Sequence, residues 1–252
     1  MIVETHVHIC DERYDSDRDD MLKRAFSAGV TKHINIGAEV KETRKVVDFE
    51  AEGVFKAIGL HPHYVEQCTD GFFEEYKSYF REKKNIVAVG EIGLDYFKSP
   101  TSRDIQEKFF RKFIDVAKEV NLPVIIHSRE AHDDVYKILK EYAIEKKGII
   151  HCFTGNYETA KKFNEMGYLI GIGGVLTFPN AGELVETVKK LELSNIALET
   201  DAPWLAPQAV RGTRNEPSYL RFIADALAQV KGVSVEEVEE KTTENACKLF
   251  GI

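Results

Sequence analysis

The first apolar run of the chain, residues 1–9, carries His6 and His8 two residues apart. On a β-strand, residues so spaced point to one face, so both imidazoles aim at one place near the strand's end. Alone, the pair fits two readings, a pair of metal ligands or one packed and one exposed histidine. Four further histidines end other apolar runs: His61 and His63 around Pro62, His127 before Ser128-Arg129, and His151 before Cys152. Carboxylates end two more runs, Glu91 and Asp95 in Gly90-Glu91-Ile92-Gly93-Leu94-Asp95, and Glu199 and Asp201 in Glu199-Thr200-Asp201-Ala202-Pro203. Of the chain's eight histidines only His33, early in a run, and His132, at a helix start, stand apart. Packing does not account for six imidazoles at run ends. A metal site does, because neutral imidazole and carboxylate are the usual ligands of zinc, manganese, iron and related ions.

Those side chains meet only if the runs are strands whose ends share one rim. Short β-branched runs at 1–8, 32–37, 55–61, 86–93, 123–128, 148–153, 168–173 and 196–201 alternate with helical patterns at 17–28, 41–52, 71–83, 102–120, 131–145, 157–166 and 181–190. Two more helical patterns, 217–230 and 235–250, close the chain. In 102–120 the apolar residues Ile105, Phe109, Phe113, Val116 and Val120 keep helical spacing. The strand Val124-Ile125-Ile126 is apolar throughout, as a strand covered on both faces is. About eight strand–helix units in a chain of this length predict an α/β fold, a (β/α)8 TIM barrel, as one domain over 1–252, with its functional face at the C-terminal strand ends. An open doubly wound sheet is the rival, and no G-x-G-x-x-G or Walker A motif supports it.

Composition narrows the class. The chain is 43% hydrophobic and 30% charged, enough apolar material for a full core. No run reaches the roughly 18 apolar residues of a membrane span, and no secretory leader is evident. The four cysteines are scattered without a C-x-x-C pair, which fits a reducing, cytoplasmic setting rather than a disulfide framework. A net charge of −8 argues against broad binding to a phosphate backbone, though not against one local site. The sequence leaves the oligomeric state open, a monomer included.

Seven stretches in order, Thr5-His6-Val7-His8, Gly59-Leu60-His61-Pro62-His63, Gly90 to Tyr96, Ile126-His127-Ser128-Arg129, His151-Cys152-Phe153-Thr154-Gly155, Leu198 to Pro203 and Arg214-Asn215-Glu216-Pro217, together resemble the TatD-type metal-dependent deoxyribonucleases of the amidohydrolase-like barrel group. Thr243-Glu244-Asn245-Ala246 resembles that family's last helix. The resemblance implies two divalent ions, one held by His6, His8, Glu91 and Asp201, the other by His127 and His151, with Glu91 bridging. Four imidazoles favour zinc, manganese or nickel over magnesium; the family implies magnesium as well. It implies a 3′→5′ exodeoxyribonuclease on DNA, with Asp201 and Glu91 catalytic and His63 and Arg129 facing the substrate phosphate. Metal ions suit that chemistry, since they lower the pKa of water from about 15.7 to about 7. The alternative is hydrolysis of another ester or amide, such as aminoacyl-tRNA deacylation.

Some residues keep two readings. Glu199 is either a buried carboxylate or the partner of a ligating histidine's second nitrogen. Trp204, Tyr96 and Phe97 either pack or stack on a base. Arg129 either faces phosphate or forms a salt bridge at a helix entry, and Arg211 and Arg214 either face substrate or pair with acids such as Glu216. Two positions depart from the family's pattern: Glu4 and Cys10 stand where aspartate is usual. Glu4 is expected to alter how a ligand is oriented.

Overall fold

The structure, a computed structural model, describes residues 1–69, 71–97 and 99–252. Eight parallel strands follow one another around a barrel in chain order: β1 (Ile2–Val7), β2 (Val30–Gly37), β3 (Val54–Ile58), β4 (Ile86–Asp95), β5 (Val124–Arg129), β6 (Gly148–Ile150), β7 (Leu169–Ile172) and β8 (Ile196–Leu198). The ring closes between its first and last strands through a Val7–Ala202 bridge, the Asp201 N–H donating to the His6 carbonyl at 3.0 Å, and the Thr5 hydroxyl donating to the Leu198 carbonyl at 2.9 Å. Helices α1 (Arg18–Ser27), α2 (Val40–Asp48), α3 (Phe72–Glu82), α4 (Arg103–Val120), α5 (His132–Tyr142), α6 (Tyr157–Glu165), α7 (Gly182–Lys190) and α8 (Leu220–Lys231) surround it. The helix α9 (Val235–Phe250) packs its Ala246 and Phe250 with Val3, Ile34, Ala57, Ala88, Ile125, Ile149 and Ala197, filling the barrel's N-terminal end. The expected (β/α)8 architecture is the one observed.

Three strands stop three residues short of their apolar runs. Those expected to reach 61, 153 and 201 end at Ile58, Ile150 and Leu198. Pro62 opens a short 3-10 turn after β3, and its preset φ suits that first position. Cys152 and Asp201 take left-handed φ values of 45° and 57°, which swing the chain out of the sheet. His8, His61, His63, His151, Glu199 and Asp201 therefore sit just beyond strand ends, on the rim.

Two irregularities decide which side chains face inward. Ala88 packs inside the barrel, whereas Val89, Ile92 and Leu94 join the layer between barrel and helices. Strict alternation from Ala88 would send Glu91 outward. Between Val89 and Ile92, however, β4 advances three residues while β5 advances two, from Val124 to Ile126. That bulge reverses the parity and turns Glu91 and Asp95 inward. Likewise β1 advances three residues from Glu4 to Val7 against two on β2, so Val3 and His6 both face in. The tight β4–β5 approach leaves no room at Gly93: with φ +144°, a Cβ there would lie 2.0 Å from the His127 carbonyl oxygen.

In α4 the buried face is Gln106, Phe110, Phe113, Ile114, Val116 and Ala117. It is centred beside, not on, the expected stripe, and Ile105, Phe109 and Val120 only flank it. Phe110 and Phe113 are each 1% exposed and each contribute about 2–3 kcal/mol by burial. Gln106 does something else. Its Oε1 accepts the Asp95 N–H at 2.8 Å and its Nε2 donates to the Asp95 carbonyl at 2.9 Å, fixing the end of β4. His33, outside the barrel rim, is a buried core histidine with neither ring nitrogen bonded, and burial pushes its pKa down to about 4.

Candidate metal centre

At the C-terminal rim, four imidazoles and two carboxylates converge. His6 Nε2 lies 3.3 Å from His8 Nε2, 3.6 Å from Glu91 Oε2 and 3.7 Å from Asp201 Oδ1. Asp201 Oδ1 is also 3.9 Å from His8 Nε2 and 3.8 Å from His151 Nε2. The other oxygen of Glu91, Oε1, is 2.7 Å from His127 Nδ1 and 3.8 Å from His151 Nε2. Donor atoms of a tetrahedral ion with arms of about 2.0–2.1 Å stand about 3.3–3.4 Å apart, close to these spacings. The two faces of Glu91 thus look toward two groups of histidines. His61 joins the second group with Glu91 and His127, its ring 4.3 Å from that of His127.

The donor set fits a divalent cation on charge as well. Glu91, Asp95, Glu199 and Asp201 are ion-paired, among the described residues, with histidine alone; no lysine or arginine reaches them. Burying several carboxylates without a compensating cation is costly. Here imidazolium supplies the compensation. Burial opposes a charge on His151, but Glu199 beside Nδ1, then Glu91 and Asp201, carry it up to about 10. His6, whose ring stacks on His151 at 3.4 Å, is held well below its ordinary value by burial and by that neighbour. His6 Nδ1 is buried with no hydrogen-bond partner among the described residues. Burial pushes Asp201 up to about 6. A divalent ion would do the work of these protons with the Nε2 atoms left neutral.

Three of the four converging histidines carry a carboxylate at their far nitrogen. His151 Nδ1 is 3.0 Å from Glu199 Oε1, and His127 Nε2 is 3.0 Å from Asp95 Oδ2. The third pairing had no signal in the sequence: His8 Nδ1 is 3.0 Å from Glu42 Oε1, on α2, while Glu42 Oε2 accepts the Ala38 N–H. Glu42 reads locally as an ordinary acidic residue in a helix's first turn. Such carboxylates set the tautomer and aim of a ligating imidazole. Glu42→Gln is expected to weaken divalent-metal binding about 10–100-fold, measured by competition against a chelating dye. Unchanged affinity would remove Glu42 from the centre. Gly171 makes room for Glu199, since a Cβ there would meet its carboxylate at 2.7 Å.

His63 Nε2 lies 3.2 Å from the same Asp95 oxygen that faces His127, so it reaches the edge of the centre. Arg129 is exposed and stacks on Phe97 at 4.1 Å, with no ion pair among the described residues. Arg214 instead grips Asp17 with two bonds of 2.7 Å, and Arg211 lies over Phe178. Among the described residues Glu4 bonds to no imidazole. Its Oε1 accepts the backbone N–H groups of His6 and Thr200, both at 2.9 Å, and burial pushes its pKa up to about 8. It orients the ligand-bearing segments through the backbone, tying β1 to the loop after β8.

The sequence model for TatD related DNase matches residues 3–251. The chain belongs to the TatD family. It is 39% identical to the metal-dependent hydrolase YabD of Bacillus subtilis over the whole of both chains. The crystal structure of YjjV, a TatD homologue from Escherichia coli K12, superposes with a TM-score of 0.94 at 31% identity, covering 100% of this chain and 98% of that one. A 3′-5′ ssDNA/RNA exonuclease, TatD of Pantoea ananatis, is 32% identical over 98% of each chain. As a TatD-family protein the chain is a metal-dependent hydrolase, and its candidate metal-binding clusters accord with one or two divalent ions. No helix among the described residues is long and apolar enough to cross a membrane.

Proposed function

We propose that this TatD-family hydrolase cleaves phosphodiesters, removing nucleotides from the 3′ end of single-stranded DNA. The observation that carries the reading is the converging set of His6, His8, Glu91, His127, His151 and Asp201 at an open barrel rim. His6, His8, Glu91 and Asp201 would hold one ion, and Glu91, His127 and His151 a second. When bound, such ions supply acidified water at neutral pH and positive charge beside the phosphate. The remaining work falls to side chains. Asp201, whose Oδ1 stands among His6, His8 and His151, accepts the proton of the attacking water at a carboxylate oxygen. His63 and Arg129, on the outer side of the centre, bind the phosphate and stabilise its developing charge. The Pantoea ananatis relative's activity supports DNA as the substrate.

Chelator-treated protein is expected to be inactive on end-labelled single-stranded DNA and to recover with manganese, zinc or magnesium. The product ladder reports polarity. Metal-loaded protein that leaves DNA intact but hydrolyses aminoacyl esters or cyclic amides in the same panel would overturn the reading in favour of another ester or amide.

A further inference from the structure

Beside the candidate centre lies a cavity of about 410 Å³. His8 and Glu42 form its inner end. Its size falls within the usual range for a small-molecule site, about 300–1,000 Å³. Two features single it out. Trp204 and Tyr64, which both line it, are 41% and 39% exposed, and few other large apolar side chains are left so open among the described residues. A half-open tryptophan at a cavity wall offers a large flat ring on which another ring can stack. Trp204 is also held in place, with the Arg13 guanidinium 4.5 Å from its ring centre and the His8 ring edge-on at 4.7 Å.

The second feature is charge. Lys41 and Lys45, one helical turn apart on α2, both line the cavity, and neither forms an ion pair among the described residues. Lys41 sits in the first turn of α2, where the helix dipole disfavours a cation. Of the carboxylates around the cavity, Asp11 is engaged by Arg13 and Glu42 by His8. Glu12 and Glu39 also line it. The lining is therefore mixed, suited to one phosphate plus a flat apolar ring rather than to a polyphosphate.

We propose that this cavity seats one nucleotide unit of the substrate strand, with its base on Trp204 beside Tyr64 and its phosphate toward Lys41 and Lys45. The proposal rests on the phosphodiesterase reading and extends it: the scissile phosphate lies at the centre and the adjoining nucleotide lies on the His8 side. It also accounts for a nuclease with net charge −8, because affinity comes from stacking at one place rather than from a basic surface.

Trp204 is the chain's one tryptophan, so its fluorescence reports this cavity alone. Manganese-loaded protein is titrated with 2′-deoxyadenosine 5′-monophosphate, which has no phosphodiester to cleave, and with 2-deoxyribose 5-phosphate, which has no base. The nucleotide is expected to quench the emission saturably, and the base-free phosphate to bind at least tenfold more weakly. By equilibrium dialysis, Trp204→Ala and the double variant Lys41→Ala/Lys45→Ala are each expected to weaken nucleotide binding about tenfold, with melting temperatures unchanged. Equal binding of the two ligands, or variants that bind like the parent, would overturn the subsite. The two readings fail separately. DNA cleavage with a wild-type KM in Trp204→Ala leaves the nuclease and removes the subsite; saturable quenching in a protein that cannot cleave DNA leaves the subsite and removes the nuclease.

Discussion

Asp201→Asn is expected to lower kcat on single-stranded DNA by about a thousandfold or more. Loss of a positioned acid–base group typically costs about 10²–10⁴, and this carboxylate also faces His6, His8 and His151 within 3.7–3.9 Å. Asparagine is the informative replacement. Residue 201 has φ 57°, a region that asparagine tolerates and that costs most other residues about 1 kcal/mol or more. Asparagine also spares the backbone bonds that Asp201 makes to His6 and Trp204. Metal-free protein supplies the control. Burial raises the Asp201 pKa to about 6, above its unfolded value, so its ionised form is penalised in the fold as pH rises through 6. Removing that charge should leave the melting temperature at pH 8 unchanged or higher. A folded variant within threefold of the parental kcat would strip Asp201 of its role.

The second large effect concerns Glu91. Its two oxygens look in different directions, Oε2 toward His6 and Oε1 toward His127 and His151. In the proposed site a residue placed this way would join two ion positions rather than serve one. Glu91→Gln is expected to release at least one ion per chain and to lower kcat by about 10²–10⁴. Metal content after dialysis, read by mass spectrometry, tests the first part and single-turnover rates the second. The parental charge state sharpens the expectation. Burial opposes ionisation of Glu91, but the bond from His127 and the neighbouring histidines hold it well below the usual carboxylate range. It is therefore an anion already, and glutamine removes a full charge from the middle of the site. Two ions retained in the variant would show that Glu91 does not bridge.

These two residues also mark the difference between reading the chain and seeing it folded. Asp201 is legible as chemistry beside a strand end, although β8 itself stops at Leu198 and a left-handed φ of 57° sets where the carboxylate points. Glu91 is legible as a carboxylate near a strand end, and its bridging role is what the family resemblance implies; inward alternation from Ala88 excludes it. Only the bulge between Val89 and Ile92 brings it inside. Glu199 was recognised as a possible partner for a histidine, and it lies 3.0 Å from His151. His61, outside the ligand set that the resemblance implies, packs its ring on His127. Glu42 was missed, since it lies on a helix 34 residues from His8 and has no local mark. Glu4 acts on the site through two backbone amides, a contact with no sequence period.

What the sequence determined by itself was the alternation of strands and helices, hence the barrel, and the gathering of imidazoles and carboxylates at one rim. Both follow from short-range rules: hydrophobic periodicity sets the element type, and a parallel barrel sends all strand ends to the same side. What only the tertiary structure decided was where those groups point and what stands behind them. Parity reversals in β1 and β4, left-handed turns at Cys152 and Asp201, and carboxylates from distant segments are settled by closing the ring. Closure forces neighbouring strands into register, and a local pattern carries no record of its neighbour's register.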